Sequence, residues 1–587
     1  MCGCAVGTKG KSHQKKAISV GMEKVINFWI SSGIIIHYNE HKLCSTCSRL
    51  ENPSIERASS SNIDEFKAFL DFVRNYYKNH THSDKMEEKL EEKEEREPPL
   101  DVEQISEEDC VECCGLEQEN LKQLSEYSGC SVQVIFEFFS KCRHKISDRF
   151  AGVLFGKDHS TVSQNFGRVL ENLTEKFVPK WIGSSAFKRE QIIKEHTPYL
   201  FQKILPNIRG GIDGTYFYIE KSSVFNIQRK TYSSHKGRNL FKEMAIVLPD
   251  GKFFDLIGPF FSDGDHNDEW MWRYIVANDC GDVGKVFNKD DEFLADRGFL
   301  HIEEEDGIFK LQCPVGLSPN KKQLSTDEAN HSRLITRFRN VVERTFGRFK
   351  ARWKIIEYVI SSGLWPKVHD LIRLLAAADN AFLQPIWTDQ ESDKDDIESI
   401  TKHINMENEL QSLFESKGKN QWIAQTYEQV WNVCPPLSLQ EIRKWSIGPY
   451  ALTLAQPYIE HSTELKFWKH KKLGNVFRIK GLVSRFVITD STNPKKYTVL
   501  LKIPPGENPD IMAYCTCKAG ARTLGGCAHS CAILYHLTVE NSKENQNTAY
   551  KRVSESGIID IRSFKQQKKK SLMESDSQAQ EFNDSME

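Results

Sequence analysis

The sequence predicts a multidomain α/β protein, and three observations carry that expectation. The chain has 587 residues, more than one ordinary domain, so two to four domains of roughly 100–200 residues are expected. From Ile208 onward, short apolar runs broken by Gly and Asp have the texture of strands, with helical periodicity on both sides. Near the C-terminus, three cysteines and a histidine fall at the spacing of a metal site. Composition narrows the class. Hydrophobic residues make up 39% and charged residues 27%, as in a soluble globular protein with some disordered segments. Lys+Arg is 79 against Asp+Glu 81, a net charge of -2, which excludes a uniformly basic nucleic-acid wrapper but not local basic surfaces. No apolar run reaches the length of about 18 residues that a membrane helix needs, and the basic start from Met1 to Lys16 has no apolar stretch of a secretory signal. The 16 cysteines are too sparse for a disulfide scaffold, so the close pairs read as metal ligands in a reducing compartment.

Element by element, residues 1–82 form an N-terminal region in which Cys2-x-Cys4 and Cys44-x2-Cys47 suit a second zinc site, against the alternative of free thiols. Between Lys85 and Glu112 thirteen acidic residues face four basic ones around Pro98-Pro99, which marks 83–117 as an acidic linker or solvated helix. Residues 118–184 are helical, with apolar stripes Val132, Ile135, Phe136, Phe139 and Val162, Phe166, Val169, Leu170, Leu173. Within them, Asp148–Leu154, a turn at Gly156 and a helix capped by Asp158 have a helix-turn-helix look; a plain helical bundle is the alternative. The second helix would expose Ser160, Thr161, Gln164, Asn165 and Arg168, side chains of the kind that reach base edges and phosphates. Residues 206–386 form the α/β domain. A strand is expected over 211–219, a hairpin at Pro249-Asp-Gly251, a helix near Glu269–Val276, a strand at Phe293–Ala295 and a long helix from about Ala329 to Glu357. Residues 387–460 read as a mixed helical linker, 465–540 as strands followed by the cysteine cluster, and 541–587 as a polar, disordered tail.

Three acids stand out. Asp213 interrupts an apolar strand, Asp296 ends one before Arg297-Gly298, and Glu343 lies in the long helix. A carboxylate in an apolar strand needs a partner, and divalent cations are one: oxygen sites take one or two carboxylates with substrate phosphate oxygens, and paired ions about 3.5–4 Å apart assist phosphodiester cleavage. Each acid also has a plainer reading: Asp213 bonded to Thr215, Asp296 in an ordinary turn, Glu343 paired with Arg339 at i,i+4. From His331 to Arg373 ten Lys+Arg face three Asp+Glu. Phe338, Val342, Phe346, Phe349, Trp353 and Ile356 form the expected buried stripe, which leaves Arg344, Arg348 and Arg352 on another face, suited to a polyanion or simply to solvent.

Asp213-Gly-Thr215, Ser233-Ser-His-Lys-Gly-Arg-Asn239 with Lys242, Pro249-Asp-Gly251, Asp265-His-Asn-Asp268, Leu294-Ala-Asp-Arg-Gly-Phe299 and Val342-Glu-Arg-Thr-Phe-Gly-Arg-Phe-Lys350 together resemble the DDE superfamily endonucleases, the PIF/Harbinger-like transposases, over roughly 208–385. The resemblance implies an RNase H-like core, a five-stranded mixed sheet flanked by helices. Asp213 would lie on the first strand, Asp296 at the end of the fourth and Glu343 on the following helix. It implies cutting of transposon ends with two Mg²⁺ or Mn²⁺ held by these three acids, then attack of the freed 3′-hydroxyl on target DNA. Asp268 is a supporting acid. Arg339, Glu343 and Lys350 keep an R-x3-E-x6-K spacing, although Thr336 stands where a tyrosine is usual. Arg339, Arg344, Arg348, Lys350, Lys236 and Lys242 would contact DNA.

Cys515-x-Cys517-x9-Cys527-x-His529 supplies four ligands for one tetrahedral, structural Zn²⁺ and resembles the SWIM-type zinc finger. Lys466, Lys469, Lys471, Lys472, Arg478 and Lys480 upstream favour DNA over protein as what this module binds. The expected partners are double-stranded DNA, as transposon ends and target; two ends admit a homodimer, the zinc module admits partner proteins, and no membrane is expected. A nuclear location follows from the substrate, with Lys568-Lys-Lys570 in support. The alternative to a transposase or transposase-derived endonuclease is a domesticated, catalytically silent DNA- or chromatin-binding protein; a zinc-built interaction adaptor leaves the acids unexplained.

Overall fold

The computed structural model describes residues 16–17, 42–43, 100–302, 309–416, 421–448, 450–460, 465–483, 496–506 and 509–539. The chain divides into two compact units, Met1–Pro98 and Pro99–Glu587. In the first, the described residues are one antiparallel pair of two-residue strands, Lys16–Ala17 and Lys42–Leu43. Cys2, Cys4, Cys44 and Cys47 lie outside the described residues.

The second unit opens with helices. α1 (Glu107–Cys114), α2 (Gln118–Ser128), α3 (Val132–His144), α4 (Asp148–Leu154) and α5 (His159–Lys176) follow one another closely. The chain supplies a polar cap where most of them begin: the side chains of Ser106, Ser131, Ser147 and Asp158 accept backbone N–H groups in the first turns of α1, α3, α4 and α5. Gly115 and Gly129 end α1 and α2 in the left-handed conformation. The acidic run reaches into α1, which is a packed helix and not a linker: Glu107, Glu108, Asp109 and Glu112 are exposed while Cys110 and Cys114 are fully buried. Period, more than net charge, decides that segment's fate.

The central domain is an RNase H-like core. Its strands are β1 (Ile208–Tyr218), β2 (Tyr232–Ser233), β3 (Arg238–Val247), β4 (Phe253–Phe260), β5 (Glu292–Leu294) and β6 (Lys310–Gln312). β1 pairs antiparallel with β3, and β3 with β4 and the short β2; β5 and then β6 add in parallel on the other side of β1. The sheet is therefore mixed, six-stranded counting β2, with β1 central. The expected hairpin is β3–β4, with Gly251 at φ 93 in its turn, a value that favours glycine. α6 (Asp268–Ala277) and the buried apolar side chains Met271, Trp272 and Ile275 cover one face. α7 (Thr326–Arg352) and α8 (Val368–Phe382) cover the other. α7 begins earlier than its apolar period suggests because Ser325 and Glu328 form a reciprocal capping box. It breaks at Trp353, whose ψ of 88 leaves the helical region, before a last turn at Lys354–Glu357. That tryptophan is fully buried against Phe139 of α3 and donates to the Asp379 carboxylate at 3.0 Å, so the helical region and the sheet domain share one core.

After α9 (Asp393–Ile404), a five-stranded antiparallel sheet forms from β7 (Trp422–Gln425), β8 (Lys466–His470), β9 (Val476–Val483), β10 (Lys496–Lys502) and β11 (Met512–Cys515), and α10 (Ala528–Thr538) packs on it. The sheet takes its edge strand from within 387–460, and Val430, Ile442 and Ala455 from the same stretch join its core. Those turns are short and polar, so no long apolar period announces them.

Candidate active site and zinc knuckle

β1 and β5 are parallel neighbours with Gly211 opposite Leu294. Two residues past that pair come Asp213, still on β1, and Asp296, beyond the end of β5, and the negative charge of Asp296 is felt at Asp213. Asp296 caps the turn Arg297–Phe299, accepting from the Gly298 N–H at 2.7 Å. Glu343 arrives from α7 through a shared cation: Arg339 donates to Asp213 Oδ2 at 3.2 Å and to Glu343 Oε1 at 2.6 Å. Glu343 keeps 59% of its side chain exposed and Arg339 only 16%, so the guanidinium lies under the carboxylate that faces solvent.

A fourth acid joins them. Asp268 occupies the first turn of α6, whose N-cap is Asn267, where the helix end favours a negative charge. Its carboxylate lies over Gly214: a Cβ at that position would meet Asp268 Oδ1 at 2.6 Å. Lys242, on β3, donates to Asp268 Oδ1 at 3.2 Å and to the His266 carbonyl at 2.9 Å. The result is four carboxylates against two close cations. Burial pushes the Asp213 carboxyl up to about 6; Arg339 opposes the rise, and the charges of Asp296 and Asp268 add to it. A buried carboxylate beside two others is short of positive charge, and oxygen donors in that deficit suit a hard divalent cation. The donors are the hard oxygens such an ion takes, but no three of these carboxylates bring their oxygens within 4.8 Å of one another.

Lys350 and Lys236 form a second group. Both ammonium groups lie over the Tyr216 ring, at 4.5 and 4.4 Å, and Lys350 donates to the Tyr216 carbonyl at 2.8 Å. Burial, aided by Lys236, pulls the Lys350 ammonium down to about 8, a cost that an approaching phosphate would relieve. Tyr216 escaped the sequence reading, because three residues beyond Asp213 on an alternating strand is the opposite face. Arg344 and Arg348 point elsewhere, donating to the carbonyls of Ile386 and Gln384. The expected free arginine face therefore does not include Arg352, which is buried between the Gly115 carbonyl and the Asp379 carboxylate. A cavity of about 210 Å³ lined by Phe299, Leu300, Leu311, Cys313 and His331 adjoins the Asp296 turn.

Residues 212–380 match the family described as DDE superfamily endonuclease. The matched segment runs from β1 through α8 and contains Asp213, Asp268, Asp296, Arg339 and Glu343. Comparison with curated proteins and with solved structures gives no match.

The second centre lies after β11. Cys515, Cys517, Cys527 and His529 are all buried, with ligand atoms within 4.8 Å of one another; among the described residues no other set of three or more such atoms is that close. The acids are set wider, with Arg339 between Asp213 and Glu343. Local sequence builds the knuckle. Cys527 caps α10, its sulfur accepting from the Ser530 N–H, and Gly520 lets the chain fold back, since a Cβ there would stand 2.1 Å from the Cys515 carbonyl oxygen. His529 is flanked by Tyr458 and Tyr497; its Nδ1 is 3.9 Å from Cys527 Sγ, and its Nε2 is buried without a hydrogen-bond partner. Thiol contacts from Cys515 and Cys517 hold Cys527 well below the usual thiol range, while burial raises Cys515. Three sulfurs and a half-satisfied imidazole in a dry site are a donor set that fits tetrahedral zinc. Among the described residues no helix is long and apolar enough to cross a membrane.

Proposed function

We propose that the chain is a transposase or transposase-derived endonuclease of PIF/Harbinger type that cuts DNA at element ends and joins the 3′-hydroxyl ends to target DNA. The observation that supports this reading is that Asp213 and Glu343 share Arg339, with the charge of Asp296 felt at Asp213, within the segment matched to DDE endonucleases. Asp213, Asp296 and Glu343 would hold Mg²⁺ or Mn²⁺, with Asp268 in support. The chemistry such ions would supply there is neutralisation of a scissile phosphate and a more readily ionised attacking oxygen. The protein's part is to orient the DNA. Lys350 and Lys236, poised over Tyr216, bind backbone phosphates beside the acids, and Arg339 holds Asp213 and Glu343 together. Cys515, Cys517, Cys527 and His529 hold a structural Zn²⁺ in a SWIM-type module. Double-stranded DNA is the substrate, a homodimer would bring two ends together, and the nucleus is the place of work.

The test is a nicking and strand-joining assay on DNA carrying the element's terminal sequence, with Mg²⁺ or Mn²⁺ added. Divalent-dependent nicking that Asp213→Ala abolishes is expected; nicking indifferent to that change removes the assignment. One feature favours the silent alternative: Arg339 neutralises two of the acids from inside the fold. Specific DNA binding without cleavage in either metal would establish that second reading.

A further inference from the structure

The knuckle is stitched to the start of the helix that carries Arg339 and Glu343. Gln323, just before α7, donates from Nε2 to the carbonyls of both Cys515 and Cys517, at 2.6 and 2.7 Å, and its Oε1 accepts from the Tyr514 hydroxyl at 3.1 Å. The Leu324 N–H donates to the Lys518 carbonyl at 2.9 Å, and Thr326 Oγ1 to that of Ala521 at 3.2 Å. One turn into α7, the fully buried Asn330 accepts from the N–H groups of Thr523 and Leu524 at 2.9 and 3.0 Å and donates to Thr523 Oγ1 and the Ile404 carbonyl, both at 2.8 Å. Arg333 reaches the Ser446 carbonyl at 2.8 Å and that of Ile447.

We propose that the zinc knuckle is an internal clamp on the catalytic helix, and that Gln323 is a positioning residue acting through the backbones of two zinc ligands. Between Cys517 and Cys527 the Lys518 and Ala521 carbonyls and the Thr523 and Leu524 N–H groups are taken up at the start of α7, which turns that side of the segment away from DNA. With the metal bound, the ligand carbonyls have one arrangement, and the side chains of Gln323 and Asn330 fix the start of α7 to it. A rigid helix of 1.5 Å rise carries that constraint over the thirteen residues from Asn330 to Glu343, about 20 Å. Groups that orient ligands from outside a metal site commonly change its affinity about 10–100-fold when removed. The consequence for cutting rests on the endonuclease reading; the clamp does not.

The test uses the full chain loaded with zinc. Zinc affinity is measured by competition with a colorimetric chelator in the parent, Gln323→Ala and Gln323→Glu, and amide exchange is followed with zinc bound and withdrawn. Gln323→Ala is expected to bind zinc about tenfold more weakly. Gln323→Glu should be weaker still, because a carboxylate replaces a donor with a repulsive oxygen against two carbonyls; a space-filling role would leave Glu close to the parent. Zinc withdrawal should speed exchange over 326–339 as well as 512–539, while helices over 107–176 keep their protection. Parent-like affinity in both variants, or faster exchange confined to 512–539, overturns the clamp. Should withdrawal unfold the whole chain, the order of the two variants decides. None of these readouts needs nicking, so a chain that shows the clamp without cleavage loses only the endonuclease reading. A chain that cuts DNA with zinc affinity unmoved by Gln323 loses only the clamp.

Discussion

At Asp213 the sheet pays for chemistry with stability. A carboxyl whose folded pKa stands near 6, above the unfolded value of about 3.9, favours the fold only while protonated. That contribution is complete below the unfolded value and is lost as pH rises through about 6. Asparagine keeps the shape without the charge. In zinc-loaded protein free of other divalent ions, Asp213→Asn should therefore be more stable than the parent at pH 7.5, by about 1–2 kcal/mol on the scale of 1.36 kcal/mol per pKa unit. The gain should shrink steadily toward pH 4, and urea melts at several pH values measure it; a gain constant across that range would place its origin outside the Asp213 charge. Arg339 gives a second expectation. As the internal counterion of Asp213 and Glu343 it competes with any added cation, so Arg339→Gln should bind Mn²⁺ more tightly than the parent in calorimetry while cutting DNA less well. Weaker Mn²⁺ binding would mean that Arg339 organises the acids instead of competing for them.

At the scale of elements, α7 connects the centres, and its two ends were unequally legible in the sequence. The apolar stripe Phe338, Val342, Phe349 and Trp353 was readable because period is a property of local sequence, and Asp213 and Asp296 were readable as acids out of place in apolar strands. The nearness of those acids to one another was not: it depends on the parallel pairing of β1 with β5, between residues some eighty positions apart. Gln323 and Asn330 were missed for the same reason, since a polar residue next to a helix start looks like a cap until its partners nearly two hundred residues away are known. Arg352 misled: an arginine in a basic stretch reads as surface, yet two acceptors drew it inside. Trp353 closes the far end of α7. It is fully buried between α3 and α8 and hydrogen-bonded to Asp379, so Trp353→Ala leaves a large cavity and an orphaned acceptor. A loss of about 3–5 kcal/mol is expected, read as a lower urea midpoint; a loss below about 1 kcal/mol would mean that the helical region and the sheet domain do not share the core described.

At the scale of the molecule, the helical region is the part to which, on the endonuclease proposal, neither the acids nor the zinc knuckle gives a task. Its α4–α5 pair is two helices joined through a turn: Asp148–Leu154, Gly156 at φ 64, then His159–Lys176 capped by Asp158. Val162, Phe166, Val169, Leu170 and Leu173 turn inward, which leaves Ser160, Thr161, Ser163, Gln164 and Arg168 on the other side of α5, toward solvent. Among the described residues Arg168 donates to the side-chain Oδ1 of the neighbouring Asn165, at 3.1 Å, and meets no carboxylate, so its charge is available to a phosphate or a guanine edge. A helix presented in this way suits the major groove. It would bring DNA to the same body that holds α7, because α3 packs on Trp353. Replacing Thr161, Gln164 and Arg168 together by Ala touches no buried side chain and should leave the melting temperature unchanged. Affinity for the specific terminal DNA should fall at least tenfold, at about 1–3 kcal/mol for each base-edge hydrogen-bond pair removed. The slope of log affinity against log salt should fall by about one if Arg168 binds a phosphate. Cutting should then decline through a raised KM with kcat little changed, because these side chains hold the DNA and leave its reacting phosphate to the acids. Unchanged affinity and salt slope would make α4–α5 a packing element and move sequence recognition elsewhere in the molecule.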